Sequence, residues 1–310
     1  MIGAMGGRTM RMIGVTGVGL VALYTLLISS ADAITKLFAA SYAAPQLYAL
    51  SGGIVALLSV LVNRRGAAKR GAGRQGMRTT CPRAMAVRVV ATVGATVAFF
   101  YAFALLPFAE VFLFIAMIPL LAALMSGPIL GERVRMQVWA ALAFGTVGVF
   151  CLFPGGVGAV SLGHGLAFLA VLLGTVSMVA SRYIGLRDSN ILAQVFYPNL
   201  ALMVVMGAAL PFVFTPMALI DLAWVVVYAV VLFGARWVLV AALRALPAFV
   251  VTPLMNLQFV WMVAMGFVFF GEVPGAGTYL GAAIIILAGS WLVWDEARER
   301  EARARVVPAE

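Results

Sequence analysis

Charge is scarce in this chain: 10% of its 310 residues are Asp, Glu, Lys or Arg, against 64% that are hydrophobic. Too little charge is present to clothe a soluble domain, and a mean hydropathy of +1.09 places the chain in a bilayer. Cysteine is nearly missing. Cys81 and Cys151 fall in separate segments, which excludes a disulfide framework and a thiolate metal site. His164 is the single histidine, which argues against a histidine-rich metal site and a His-based catalytic triad, and His164 reads as an interfacial residue. Gly52-Gly53 and Gly155-Gly156 lack the strand context and the Lys-Ser/Thr ending of a phosphate loop; they read as close helix packing and a turn. HExxH and GxSxG motifs are missing, as are two acids close together inside one apolar run, which argues against an intramembrane enzyme. No cofactor is implied.

What the chain has instead is long apolar runs. A helical span needs about 20 mostly apolar residues, and backbone inside hydrocarbon must satisfy its own hydrogen bonds, which favours helices over an open sheet. Windows of that length give ten candidate spans, at 13–35, 44–62, 86–106, 108–130, 136–154, 163–182, 190–211, 220–243, 246–270 and 276–294. The expected fold is therefore an all-α polytopic membrane protein.

Cations set its orientation, because Lys and Arg in short loops stay cytoplasmic. A basic segment at 63–83 carries Arg64, Arg65, Lys69, Arg70, Arg74, Arg78 and Arg83, and its Gly and Ala content suggests a flexible cytoplasmic loop. With both termini inside, only Lys36 of the 21 Lys and Arg residues falls at the outer face. The net charge of +10 is then a topology signal, and anionic lipid headgroups, not nucleic acid, are the expected neighbours of 63–83. Arg8, Arg11, the apolar run from Met12 and Ala31-Asp32-Ala33 resemble a cleavable signal, but the run is long, and removal would leave nine spans.

Two stretches 140 positions apart spell one phrase. Leu106-Pro107 opens a run closed by Gly131-Glu132, and Leu246-Pro247 opens a run of the same length closed by Gly271-Glu272. Without a gap, Val111 also falls on Val251 and Met125 on Met265. The offset implies a duplication: a first five-helix repeat over 1–154, a second over 155–294, and a charged cytoplasmic tail over 295–310. Five is odd, so the second repeat enters the membrane inverted, an arrangement that lets two halves exchange shapes around a central site.

Ionisable groups inside spans are candidates for that site, since each costs about 2.5–3.5 kcal/mol to insert. Arg236 lies deepest, beside Trp237; it can bind a carboxylate or phosphate bidentately, or else snorkel or pair with a buried acid. Glu110, whose counterpart is Val250, is either a coupling carboxylate or a cap near Pro107. Asp32 and Lys36 are spaced as a helical ion pair on span one. Asn256, Gln258 and Asn199 can bond a ligand or another helix, and Tyr101 and Trp237 can line a cavity or simply pack. Pro119, Pro198 and Pro253 mark places where helices are interrupted.

The chain resembles the EamA-type transporters of the drug/metabolite transporter superfamily. The likeness is carried by Leu105-Leu106-Pro107-Phe108-Ala109-Glu110, Leu130-Gly131-Glu132-Arg133-Val134, Ala245-Leu246-Pro247-Ala248 and Phe270-Gly271-Glu272-Val273-Pro274, and Asp32 and Lys36 also match. Relatives often carry an arginine early in span two, where this chain reads Gln46-Leu47-Tyr48. The resemblance implies ten helices in two inverted repeats and a secondary transporter of the bacterial inner membrane. Its expected cargo is a small metabolite, an amino acid or related compound for export, or a nucleotide-like or vitamin molecule for uptake. A second copy of the chain is a further candidate partner, and a passive channel or scaffold is the rival reading.

Overall fold

The computed structural model describes residues 2–70, 78–130, 136–151, 160–188, 190–245 and 255–306. Among these the chain is helical almost throughout, with no strand. The helices are α1 (Ile2–Ala39), α2 (Ala44–Arg70), α3 (Pro82–Leu105), α4 (Phe108–Ile115), α5 (Ile118–Leu130), α6 (Met136–Phe150), α7 (Leu162–Gly185), α8 (Ile191–Val213), α9 (Leu219–Ala245), α10 (Gln258–Phe270) and α11 (Ala276–Val306). Within α1, α2, α3, α7, α8 and α9 lie six stretches long and apolar enough to cross a membrane; shorter apolar helices fill Phe108–Ala122, Met255–Phe270 and Ala276–Ala288.

Several boundaries differ from the sequence expectation. The segment expected to be a loop from residue 63 is helical through Arg70, because Arg, Ala and Lys are good helix formers and nothing in Asn63 to Arg70 breaks the helix except Gly66. Pro82 then restarts a helix earlier than expected, at the first turn where its missing N–H costs nothing. The span expected over 108–130 is divided by a turn at Ala116–Met117, since Pro119 gives no N–H to the carbonyl four residues back. The presumed tail continues α11 through Val306; Glu296, Glu299 and Glu301 each precede an arginine by four residues, a spacing that supports helix. Gly131, Glu132 and Pro247 lie outside the described residues.

Most of the packing is between residues of 1–154 and residues of 155–294. α1 lies along α9, α2 along α8, α3 along α7 and α6 along α11. Glycine permits two of these approaches. A Cβ on Gly52 would stand 2.7 Å from the Asn199 carbonyl oxygen, and Gly148 and Gly281 each face the other's carbonyl across α6 and α11. In a bilayer, backbone contact of this kind is a main source of helix association. Gly281→Leu should force α6 and α11 apart and destabilise the protein by about 1–3 kcal/mol, read as a lower midpoint in detergent melting; an unchanged midpoint would contradict the close crossing.

The core centres on α4. Phe108, Val111, Phe112 and Leu113 are fully buried against Met262 of α10 and Ile285 of α11. A second cluster joins Phe38, Leu47, Tyr48 and Phe100 to Leu202 of α8 and Tyr228 of α9.

At one end of the bundle, Asp188 accepts hydrogen bonds from the backbone N–H of Thr80 (2.9 Å) and Asn190 (2.9 Å). These donors hold its carboxyl below its ordinary value of 3.8. A lowered native value means the contribution is full at neutral pH and is lost as pH falls through the native value. Protection of the Thr80 amide, measured against its intrinsic exchange rate at each pH, should therefore fall in acid, and Asp188→Ala should show that low protection already at pH 7; equal protection in both proteins would contradict the clamp.

Candidate functional site

The opposite end is held by Glu272. One carboxylate oxygen meets Lys36 Nζ at 2.7 Å, and the other accepts the backbone N–H of Phe108 at 2.7 Å. Lys36 also donates to the Leu106 carbonyl at 2.6 Å and stands over the Phe270 ring. Each partner has a local cause. Pro107 sits at the N-cap of α4 and has no side-chain oxygen to offer, so the first N–H groups of that helix need an acceptor from elsewhere. Gly271 takes the left-handed conformation (φ 66°) that ends α10, and this turn carries Glu272 back toward Phe108. The helical pairing expected between Asp32 and Lys36 gives way to this cross-chain latch.

Beside it, Ser161 N–H donates to His164 Nδ1 at 3.0 Å, so Nε2 carries the proton and faces Glu110 at 3.4 Å. Tyr42 donates to Asp221 at 2.6 Å, which raises the Tyr42 hydroxyl above its ordinary range and keeps it protonated at neutral pH. Gln46 bonds both backbone groups of Thr215. A cleft of about 40 Å³ between Pro107, Glu110, Met262, Gly266 and Glu272 has room for a few waters at most and is too small for a metabolite.

A second polar group lies in the interior, on α1, α9 and α10. Asp32 accepts from Gln258 Nε2 at 3.1 Å, and Trp261 Nε1 donates to Thr25 at 3.1 Å. Ser29, fully buried one turn below Asp32, has no hydrogen-bond partner for its hydroxyl. Tyr228 of α9 packs beside Tyr48 of α2, with ring centroids 6.2 Å apart. Arg236 is on α9, eight residues beyond Tyr228. Tyr228 packs in one cluster with Ala31, Ile34 and Phe38, whereas Leu239 packs on Val21, so α9 runs antiparallel to α1 and Arg236 lies near the level of Tyr24.

The expected site residues therefore divide. Asp32, Gln258 and Arg236 belong to the interior group; Asn256 stands nearby on the single helical turn Met255–Leu257. Glu110, Pro107, Lys36, Gly271 and Glu272 belong to the latch end. Trp237 is 53% exposed against Phe233, and Tyr101 is 42% exposed against Phe100, so neither ring faces the interior charges. Tyr24, Ser29 and Tyr228 were not expected. The spacing of Thr25, Ser29, Asp32 and Lys36 by four, three and four residues is a helical stripe that could have pointed to α1.

Fold and site together define a class, an all-helical chain with the apolar helices of a multi-pass membrane protein. Neither a family model nor a curated protein matches it. A crystal structure of a protein superposes with a TM-score of 0.56 at 21% identity, over 94% of this chain and 99% of that one. At that identity the likeness extends to the fold alone.

Proposed function

We propose that the protein is a secondary active transporter of the EamA type, with two inverted five-helix repeats, that moves a small metabolite across the bacterial inner membrane by alternating access. The observation that carries this reading is the pattern of helix pairing. Counting α4 and α5 as one span, a shift by five spans turns the pair α1 with α9 into α7 with α3, and returns α2 with α8 and α6 with α11 to themselves. All four pairs are thus consistent with a two-fold relation between halves, which is the architecture that alternating access uses. Interior charges between the halves support a binding site there, because buried ionisable groups are expensive and are retained for a task.

In this reading the Lys36 end faces outward, the Asp188 end and both termini are cytoplasmic, and 63–83 meets anionic headgroups. Proton coupling or exchange drives transport, with an amino acid or related compound as cargo. Topology can be read, with Cys81 and Cys151 replaced by serine, by attaching an impermeant maleimide to single cysteines at positions 131 and 273 in intact cells: labelling at the exposed position 273 alone is expected, and equal labelling of both would end the inverted-repeat reading. A passive channel would give flux that rises linearly with concentration, whereas the carrier is expected to saturate.

A further inference from the structure

Histidine is the side chain that ordinarily changes charge between about pH 5 and 8, and this chain has one, His164. It stands at the third position of α7, where a capping box ordinarily has Glu or Gln. Its Nδ1 accepts the Ser161 backbone N–H at 3.0 Å and lies 2.8 Å from the Ser161 hydroxyl. Its Nε2 lies 3.4 Å from Glu110 on α4, and the two side chains are 11% and 27% exposed. The ring is thus an acceptor toward α7 and a donor toward α4. That division holds only while the imidazole is neutral.

A proton on Nδ1 removes the lone pair that takes the Ser161 N–H, and two donors then face each other at the start of α7. A positive charge in the first turn is also disfavoured by the helix dipole. Toward Glu110 the same proton turns a long neutral contact into a charge-assisted one, which prefers to be shorter. The charged ring is therefore drawn off α7 and onto α4.

The start of α7 is built against the latch. A Cβ on Gly163 would lie 2.8 Å from Leu106 Cγ and 3.0 Å from Leu105 Cβ, so the first turn of α7 presses on the residues before Pro107 without slack. The Leu106 carbonyl is the one that takes Lys36 at 2.6 Å, and Glu272 holds both Lys36 and the Phe108 N–H. Glu110 and Glu272 line one cleft. The helices packed on α7 are α3, α4 and α5. Of these, α5 has no ionisable side chain, α3 has Tyr101 and, toward its other end, Arg83 and Arg88, and α4 has Glu110. Lys36 and Glu272 stand across the Pro107 turn.

We infer that His164 is a proton-binding site that controls the latch. Neutral, it caps α7 and keeps Leu106 in place for Lys36; protonated, it moves to Glu110, uncaps α7 and loosens the contact of Lys36 with Glu272. Acid at this end of the bundle opens it. The transporter reading enters only in which side of the membrane this end faces, so the test is made in detergent, where one pH reaches both ends and no transport is needed.

The full chain carries Cys81→Ser, Cys151→Ser and Met262→Cys, the last at a buried position lining the cleft. The rate of maleimide attachment is compared with that of the same protein bearing His164→Gln at each pH, which cancels the titration of the thiol. Gln keeps an acceptor for the Ser161 N–H at every pH, so this variant should stay closed. Relative to it, the parent should react equally at about pH 8 and about fivefold faster at about pH 5, the shift in population that a cap of ordinary strength commands. His164→Lys, charged throughout, should react faster already at the higher pH. Nitrogen-labelled histidine in the untagged chain reports His164 alone, and the rise in reactivity should follow its protonation. The inference is overturned if parent and His164→Gln keep one rate ratio across the range, if the rise does not follow the ring, or if a folded His164→Lys reacts no faster than His164→Gln. Saturable exchange of a solute without this acid response defeats this inference alone, and an acid-opened latch in a protein that exchanges nothing defeats the transporter reading alone.

Discussion

Arg236→Leu is expected to bind cargo about 100-fold more weakly while melting at the same temperature as the parent protein or above it. Truncating one member of a desolvated charged contact costs about 2–5 kcal/mol of binding, and about 2.8 kcal/mol is the 100-fold step. Stability should move the other way. No carboxylate among the described residues pairs with Arg236, so the ligand-free protein carries a desolvation cost that leucine removes. A residue that weakens the empty protein and strengthens the loaded one is a binding residue, because a structural one loses both together. Parallel melting curves and ligand titrations decide it. A large fall in melting temperature with unchanged affinity would assign Arg236 to the scaffold.

The second large effect belongs to Glu272. Its side chain and that of Lys36 are 23% and 12% exposed, so the pair is mostly desolvated, and the same carboxylate caps α4. Glu272→Ala leaves the Lys36 ammonium with a carbonyl alone and should cost about 2–3 kcal/mol, the low end for a buried pair because water reaches part of it. In a carrier this latch must open for cargo to pass the Lys36 end. Its loss should therefore raise the population open there. With Cys81 and Cys151 replaced by serine, a cysteine at the buried position of Met262, at the base of the neighbouring cleft, should react faster with an impermeant maleimide in Glu272→Ala. Lys36→Met should act alike, and the double variant should add little, since both remove one interaction. Unchanged reactivity together with unchanged stability would reduce the latch to a surface pair.

Much of this was legible in sequence, for reasons that differ by element. The places of the apolar helices follow from apolar runs, whereas their lengths do not: 108–130 is divided into α4 and α5, and six stretches are long and apolar enough to cross a membrane. The Gly-Glu phrase pointed to Glu272 as part of a repeat; its work, a left-handed turn at Gly271 that brings the carboxylate to the uncapped start of α4, appears in the fold. Its partner was less legible. Spacing alone coupled Asp32 to Lys36, four residues along one helix, and only the crossing of α1 with α10 shows that Gln258 takes Asp32 and Glu272 takes Lys36. Trp237 illustrates the same limit, since adjacency to Arg236 along the chain turns its ring about 100° away on a helix with 3.6 residues per turn. Tyr24 and Tyr228 carry no signal in the sequence, because their place depends on which helices are neighbours, and that α1 and α9 are antiparallel is a property of the fold.

The central claim, that of the proposed function, is that this chain carries a small metabolite, an amino acid or related compound, through an alternating site. Its most direct test is accelerated exchange in liposomes of purified protein: influx of labelled amino acid into vesicles preloaded with the same unlabelled compound, compared with empty vesicles, and with Arg236→Leu in parallel. The account expects influx that saturates, quickens on preloading and disappears in the variant. Influx that is linear in concentration, indifferent to preloading and equal in the variant would contradict it.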